Sequence, residues 1–179
     1  MDPSIKEEFA YLLNKFNILG ILYHSVIHCD LHCGNVFFYI NDVCDVSNNE
    51  TETSPKYMLG LIDFGLCTFP TKESQNAYYI FFNNMFYNND YSSIEYLINT
   101  FIEEKELFNT YNNNIKQVLC NETINCLDLY DLNFTHEFNR VILSLHTTYS
   151  FIALLSSDVN ECVEKVIKEL NYFNELINI

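Results

Sequence analysis

Basic side chains are scarce in this chain of 179 residues, which contains 9 Lys plus Arg against 24 Asp plus Glu. The formal net charge is therefore −15, and Arg140 is the only arginine. Binding to nucleic acid or to an anionic membrane needs clustered Lys and Arg that neutralise phosphate groups. The sequence has no such cluster, so its composition argues against both classes of partner.

The sequence also lacks a long apolar run and a secretory leader. Its longest apolar stretch, residues 141–155, is interrupted by polar residues and is too short to span a bilayer. Met1 leads into an acidic segment, whereas a leader begins with a basic and then an apolar region. We therefore expect no transmembrane segment and an intracellular location, where the seven cysteines stay reduced.

Glycine and proline are few and confined to the first part of the chain. The 4 glycines all lie within the first 65 residues, and the 3 prolines all precede residue 71. Because these residues mark tight turns, the turns are expected early and helices later. With 49% hydrophobic residues the chain can bury a core. The sequence predicts one α+β, mainly α-helical domain over residues 1–179, with a helical subdomain at 71–179.

Capping signals and apolar spacing predict several helices. Ser4 and Glu7 have the spacing of a capping box at the start of a first helix, and Gly20 is placed to end that helix in a left-handed conformation. Ser92 and Glu95 have the same capping spacing. Two later helices are expected, a buried one over His136 to Leu155 and an amphipathic one from about Asp158.

A β-hairpin is predicted between the first helix and the helical subdomain. Val36 to Ile40 and Tyr57 to Ile62 are apolar runs rich in residues that favour strands. The polar and acidic residues between them, 41–56, are expected to form a long hairpin tip.

Two short segments beside these strands contain most of the polar residues suited to chemistry. The first, residues 28–35, reads H-C-D-L-H-C-G-N, and the second, residues 62–65, reads I-D-F-G. Together they match the pattern H-x-D-L-x-x-x-N followed by D-F-G, so the chain resembles the protein-kinase-like superfamily. The joint match is specific because order, spacing and flanking strands all agree.

This resemblance implies a kinase-like C-terminal lobe that uses ATP and Mg²⁺. It implies that Asp30 and Asn35 are catalytic residues and that Asp63 and Asn35 are metal ligands. The chemistry is consistent, because Mg²⁺ prefers hard oxygen ligands and phosphoryl transfer depends on positioning and charge stabilisation. A carboxylate such as that of Asp30 can accept the proton of an attacking hydroxyl or orient that hydroxyl.

The resemblance assigns supporting roles to the neighbouring residues. Phe64 and Gly65 would join Asp63 at the nucleotide, and Gly65 would allow a turn where a side chain would collide. His28, His32 and Gly34 would shape the catalytic loop.

The first motif also indicates a branch of the superfamily. Ordinary Ser/Thr kinases have Arg before the catalytic Asp and Lys two residues after it, whereas Cys29 and His32 stand at those positions here. The D-L-H-x-G-N arrangement looks more like the ABC1/UbiB atypical kinases and the aminoglycoside and choline phosphotransferases. The chain is also rich in amino acids with AT-rich codons. In this composition it resembles the short kinase-like proteins of large DNA viruses, and such a protein would act in the host cell.

The N-terminal lobe of the superfamily has no counterpart in the sequence. No G-x-G-x-x-G segment exists, and His28 lies only 27 residues after Met1. We therefore expect a truncated phosphotransferase that needs a partner chain supplying an N-lobe, or a homodimer, for full activity. The phosphate acceptor stays open between a protein and a small molecule. The alternative is a noncatalytic pseudokinase or protein-binding module.

The cysteines suggest a second alternative from a different class. His28, Cys29, His32 and Cys33 are crowded enough to suggest a zinc site. A helical arrangement would nevertheless point the two pairs in different directions and would leave the acidic and amide residues unexplained. A separate expectation is that Cys67, just after D-F-G, lies near the nucleotide and reacts with electrophiles.

Overall fold

The computed structural model describes residues 1–44, 53–84, 93–111, 113–122 and 130–177. These residues form seven α-helices, one π-helical turn and four strands. The helices are α1 (Pro3–Leu19), α2 (Lys72–Asn83), α3 (Ser93–Phe101), α4 (Lys105–Thr110), α5 (Asn113–Glu122), α6 (His136–Ile152) and α7 (Val159–Ile177). The strands are β1 (Ile27–His28), β2 (Val36–Cys44), β3 (Thr53–Leu61) and β4 (Cys67–Thr68).

The architecture is mainly helical with two small antiparallel sheets, which is compatible with the expected α+β class. One sheet pairs β2 with β3, and the other pairs β1 with β4. Within the described part of the chain, no helix is both long enough and apolar enough to cross a membrane.

Helix α1 has its N-cap two residues earlier than the capping box predicted. Asp2 is the N-cap and accepts a hydrogen bond from the backbone N–H of Ser4 at 2.9 Å, while Pro3 takes the first helical position. Proline suits that position because its φ is preset and its missing N–H would have no helical partner. The carboxylate of Glu7 instead accepts the backbone N–H of Ser157 at 2.9 Å, so the predicted Ser4–Glu7 box is wrong.

The end of α1 also differs from the prediction. Gly20 has φ −57° and ψ −47°, so it does not form a left-handed cap. A π-helical turn continues the chain over Gly20–His24, and the left-handed residue is Ser25, with φ 52°. Gly20 is needed for a different reason, because a Cβ there would lie 2.4 Å from the carbonyl oxygen of Val26. Close backbone approach, not turn geometry, accounts for this glycine.

Helix α1 joins the hairpin to α6 and α7. Phe9 is 1% exposed, and its ring stacks on Phe38 of β2 at a centroid distance of 4.3 Å. The smaller of two apolar clusters lies here and contains buried residues from α1, the loop before β2, β2, α6 and α7. These are Ala10, Leu13, Leu31, Val36, Ile152 and Cys162. The larger cluster joins the end of α1 to α2, α3, α6 and α7. Burial of these apolar surfaces is the main force holding the elements together.

The β2–β3 hairpin contains both predicted strands, and each extends further towards the tip than the sequence predicted. Its register pairs Val36 with Leu61 and continues to Cys44 opposite Thr53. Part of the segment expected as tip, 41–56, is therefore strand, and residues 45–52 lie outside the described part. Pro55 is accommodated because a two-stranded sheet leaves one side of each strand unpaired.

The later helices are close to their predicted positions. Helix α6 ends at Ile152, and α7 begins at Val159 as expected. The sequence predicts a buried helix here, but Leu143 is 51% exposed, so α6 packs inward along one face only. The predicted Ser92–Glu95 capping box includes a residue outside the described part of the chain.

Candidate functional site

The β1–β4 sheet, which the sequence did not predict, brings the two motif segments together. It pairs His28 with Cys67, and the backbone N–H of Cys29 donates to the carbonyl of Leu66 at 2.9 Å. On the other side, the N–H of Ile62 donates to the carbonyl of Asn35 at 3.1 Å. The loop 28–35 and the loop 62–66 are thus tied by backbone hydrogen bonds at both ends.

Asn35 closes the first loop onto Asp30. Its Nδ2 donates to the Asp30 carbonyl at 2.9 Å and to Asp30 Oδ2 at 3.2 Å. Asn35 is 6% exposed, whereas the Asp30 side chain is 42% exposed. The Asp30 carboxylate is therefore held by Asn35 on its inner side, and its outer side is open to solvent.

His28 sits behind the loop with both ring nitrogens engaged. Its Nδ1 accepts the N–H of Asp30 at 3.2 Å, and its Nε2 lies 3.1 Å from the carbonyl of Ile62. Because Nδ1 accepts and a carbonyl can only accept, the neutral ring must carry its proton on Nε2. The ring is 1% exposed and makes an edge contact with Phe64 at 5.0 Å. This geometry suits a structural support and leaves no ring nitrogen for proton transfer.

His32 and Gly34 form a small turn inside the same loop. Nδ1 of His32 accepts the N–H of Gly34 at 2.9 Å, and Nε2 lies 3.6 Å from Asp30 Oδ2. A Cβ on Gly34 would lie 2.8 Å from Cε1 of His32. Glycine therefore allows the imidazole to fold over the backbone and face the Asp30 carboxylate.

Asp63 has the unusual backbone in the second loop. Its φ is 61°, a left-handed value that is uncommon outside glycine, and its Oδ1 accepts the N–H of Gly65 at 3.3 Å. No glycine in the described residues has positive φ, so the turn geometry resides in Asp63 and not in Gly65. A Cβ on Gly65 would lie 3.1 Å from Asp63 Oδ1, which is tighter than ordinary van der Waals contact. Asp63 and Phe64 are both exposed.

The zinc alternative finds no support in the described residues. His28 has no free ring nitrogen, and the thiol of buried Cys29 donates to the carbonyl of Ile27 at 3.6 Å. Across the described ranges, no three His, Cys, Asp or Glu side chains are grouped so that they could hold a metal ion. These residues are close together in the sequence, but their ligand atoms do not converge on a common point in the structure.

Cys67 is less suited to reaction than its place in the sequence indicated. Burial raises the pKa of its thiol, which lowers the fraction of nucleophilic thiolate at neutral pH. Cys33, in the exposed turn of the first loop, is the more accessible thiol.

Two residues that the sequence reading did not single out lie against the back of the first loop. Ser144 of α6 places its Oγ 3.0 Å from the carbonyl oxygen of His28 and 3.3 Å from Oδ1 of Asn17 on α1. Both side chains are buried. The available signal was a polar residue on the buried face of an apolar helix, but the sequence alone does not show what it meets.

A sequence profile of the ABC1 atypical kinase-like domain matches residues 5–98, which is more than half of the chain. The match includes most of α1, both motif loops, the hairpin and α2, so the site lies within a kinase-like domain. The chain belongs to the ABC1 atypical kinase-like family. Comparisons with curated proteins and with solved structures gave no match.

Proposed function

We propose that this protein is an ATP-dependent phosphotransferase whose reacting groups are Asp30, Asn35 and Asp63. The observation that carries the proposal is the backbone hydrogen bond from Ile62 to Asn35. It places the residue before Asp63 directly beside Asn35, which itself holds Asp30. The proposal is supported because this bond joins the two loops that carry Asp30, Asn35 and Asp63, and phosphoryl transfer depends on the positioning of such groups.

Each residue has a chemical role that its contacts permit. Asn35 directs its Nδ2 at Asp30, so its Oδ1 and the exposed Asp63 carboxylate are the oxygen groups that would hold Mg²⁺. The bound ion would neutralise charge on the phosphates. The Asp30 carboxylate orients the acceptor hydroxyl and receives its proton as the hydroxyl oxygen bonds to the γ-phosphorus. The bond between that phosphorus and the bridging oxygen breaks, and ADP leaves.

We further propose that the phosphate-covering groups come from a partner chain or a second copy. The sequence contains no G-x-G-x-x-G segment, and the outer face of the hairpin beside Asp63 is apolar and open. Phe37 is 45% exposed, Tyr39 is 49% exposed and Ile62 is 48% exposed. We place this activity inside cells, where free thiols such as that of Cys33 stay reduced.

Thermal unfolding with and without Mg²⁺ and ATP tests the proposal. Nucleotide at 100 times its dissociation constant adds about 2.7 kcal/mol of stability, which raises the melting temperature by several degrees. We expect this rise to need Mg²⁺ and to be lost in Asp63→Asn. Asp131→Asn is the matched control, because Asp131 also has a left-handed backbone, with φ 52°, and lies outside both motifs.

The second candidate is a noncatalytic nucleotide-binding module, favoured by the contacts that Asp30 already makes with Asn35 and His32. Mg²⁺-dependent release of phosphate from ATP separates the two. Turnover that falls in Asp30→Asn while the thermal shift persists supports the enzyme. A thermal shift without turnover in the wild-type chain, alone or at concentrations that favour a second copy, supports the module.

A further inference from the structure

A buried polar pair lies behind the catalytic-loop segment, on the side away from solvent. Asn17 of α1 is 2% exposed and Ser144 of α6 is fully buried. The Ser144 Oγ lies between two oxygens, the His28 carbonyl at 3.0 Å and Asn17 Oδ1 at 3.3 Å. Burying such groups is costly unless each is hydrogen-bonded, so their arrangement has consequences for the loop.

The proton count determines how the pair must be connected. A serine hydroxyl has one proton and cannot donate to both oxygens, and Nδ2 of Asn17 has no partner in the orientation described. The two ends of an asparagine amide have nearly the same shape. Turning the amide over places Nδ2 against Ser144 Oγ, and the serine proton is then committed to the His28 carbonyl. In this arrangement Asn17 donates a hydrogen bond to Ser144, and Ser144 donates one to the carbonyl of His28.

His28 passes this restraint to both motif loops. Its carbonyl meets Ser144, its Nδ1 accepts the N–H of Asp30, and its Nε2–H donates to Ile62, the residue before Asp63. A shift of the His28 backbone therefore moves Asp30 directly and moves the entry to Asp63 through the ring.

We propose that Asn17 and Ser144 are positioning residues that set the placement of Asp30 relative to Asp63 through the backbone carbonyl of His28. The inference rests on the proposed function for its catalytic consequence. Neither side chain contacts the reacting groups. Their effect is on alignment, to which phosphoryl transfer is especially sensitive, since misplacement by about 1 Å can reduce a rate about 100-fold.

Helix α6 supplies a matched comparison one turn further on. Thr148 is also fully buried, on the same face as Ser144, and its Oγ1 has no hydrogen-bond partner. Thr148→Val removes a buried hydroxyl with almost no change in shape. Any difference between Ser144→Ala and Thr148→Val therefore reports the contact with His28 and not the loss of a hydroxyl from α6.

The experiment compares the full-length wild type, Ser144→Ala and Thr148→Val in two assays. The first is Mg²⁺-dependent ATP turnover, in which we expect Ser144→Ala to lower kcat about 10- to 100-fold with KM for ATP changed less than about threefold. The second is amide hydrogen exchange, in which the Asp30 N–H should exchange at least about 10-fold faster in Ser144→Ala while α6 keeps its protection. Thr148→Val should match wild type in both.

A further variant keeps the test decisive if Ser144→Ala does not fold. Ser144→Cys retains a weaker donor of similar shape and should give an intermediate effect in both assays. If the serine variants match Thr148→Val in exchange and turnover, the inference is overturned. If the folded wild type shows neither turnover nor a Mg²⁺-dependent thermal shift with ATP, the proposed function fails. Whenever turnover is absent, amide exchange at Asp30 decides the positioning role: faster exchange in Ser144→Ala supports it, and unchanged exchange overturns it.

Discussion

At Gly20, the addition of a single methyl group is expected to disturb the segment that leads to the first loop. It has ordinary helical torsion angles, so a rule based on helix propensity would favour alanine there. The carbonyl oxygen of Val26, however, lies 2.4 Å from where the Cβ would stand. The π-helical turn and the strand that follows it leave room for hydrogen alone.

We predict that Gly20→Ala lowers the free energy of unfolding by about 1 to 3 kcal/mol, the usual cost of overpacking a core. Urea denaturation followed by circular dichroism measures this change. Glu8→Ala, at an exposed position of the same helix, should lie within about 0.5 kcal/mol of wild type. An unchanged or increased stability for Gly20→Ala would mean that the turn can move away from Val26.

Residue-level expectations succeeded where a local pattern determines the structure and failed where a distant contact does. The two strands of the hairpin are predicted by their own β-branched and aromatic residues. The role of Gly20 depends on Val26, and the contact of Ser144 depends on His28. Neither partner can be identified from the neighbouring sequence.

Among the elements, the link between α3 and the segment before α6 combines backbone hydrogen bonds with the contacts of one carboxylate. Glu104 accepts the backbone N–H of Asn133 at 2.7 Å and its Nδ2 at 2.9 Å. The side-chain hydrogen bond from Asn133, together with its backbone N–H, lowers the pKa of Glu104 below the ordinary glutamate value. A bridge between Ile102 and Phe134 lies alongside.

The lowered pKa gives this link a pH dependence of known sign. The carboxylate stabilises the fold above the unfolded-state pKa of glutamate, and this stability is lost as pH falls through the lowered folded-state pKa. We predict that Glu104→Gln reduces the melting temperature at pH 7 and that the difference from wild type shrinks towards about pH 3.

Differential scanning calorimetry at the two pH values measures the effect of Glu104→Gln. Glu103→Gln is the control, because its exposed side chain is the immediate neighbour. A difference between wild type and Glu104→Gln that stays constant with pH would show that the ionised carboxylate is not what stabilises the link.

At the scale of the whole molecule, α1 connects the candidate site to the helical part of the chain. It carries Phe9 against the hairpin and Asn17 towards α6. Phe9 also meets Tyr57 of β3 edge-on at 5.6 Å, so one side chain contacts both strands. Leu31, in the loop that holds Asp30, packs in the same apolar cluster as Ala10 and Leu13 of α1, so this helix also supports the loop.

We predict that Phe9→Ala lowers the free energy of unfolding by about 3 to 5 kcal/mol, because a large buried ring is removed. Phe37→Ala removes the same ring from the opposite, 45% exposed face of β2 and should change stability by less than about 1 kcal/mol. Urea titration of both variants gives the comparison. Equal losses for the two would mean that the outer face of the hairpin is also covered in solution.

The sequence by itself determined several of the elements and the chemistry of the candidate residues. Apolar periodicity predicts α1 and α7, and apolar runs rich in strand-favouring residues predict the hairpin, since both signals are local in the chain. The motif residues Asp30, Asn35 and Asp63 indicate the kinase-like class, and the match over 5–98 shows the family.

Tertiary structure alone decided how those residues meet. The two-residue strands β1 and β4 are too short to have a sequence signal, yet their pairing joins the two loops. The left-handed backbone falls on Asp63 although a glycine is two residues away. Ser144 contacts His28, and Asn17 contacts Ser144, because α1, α6 and β1 pack together, and long-range packing of this kind is not encoded in any local pattern.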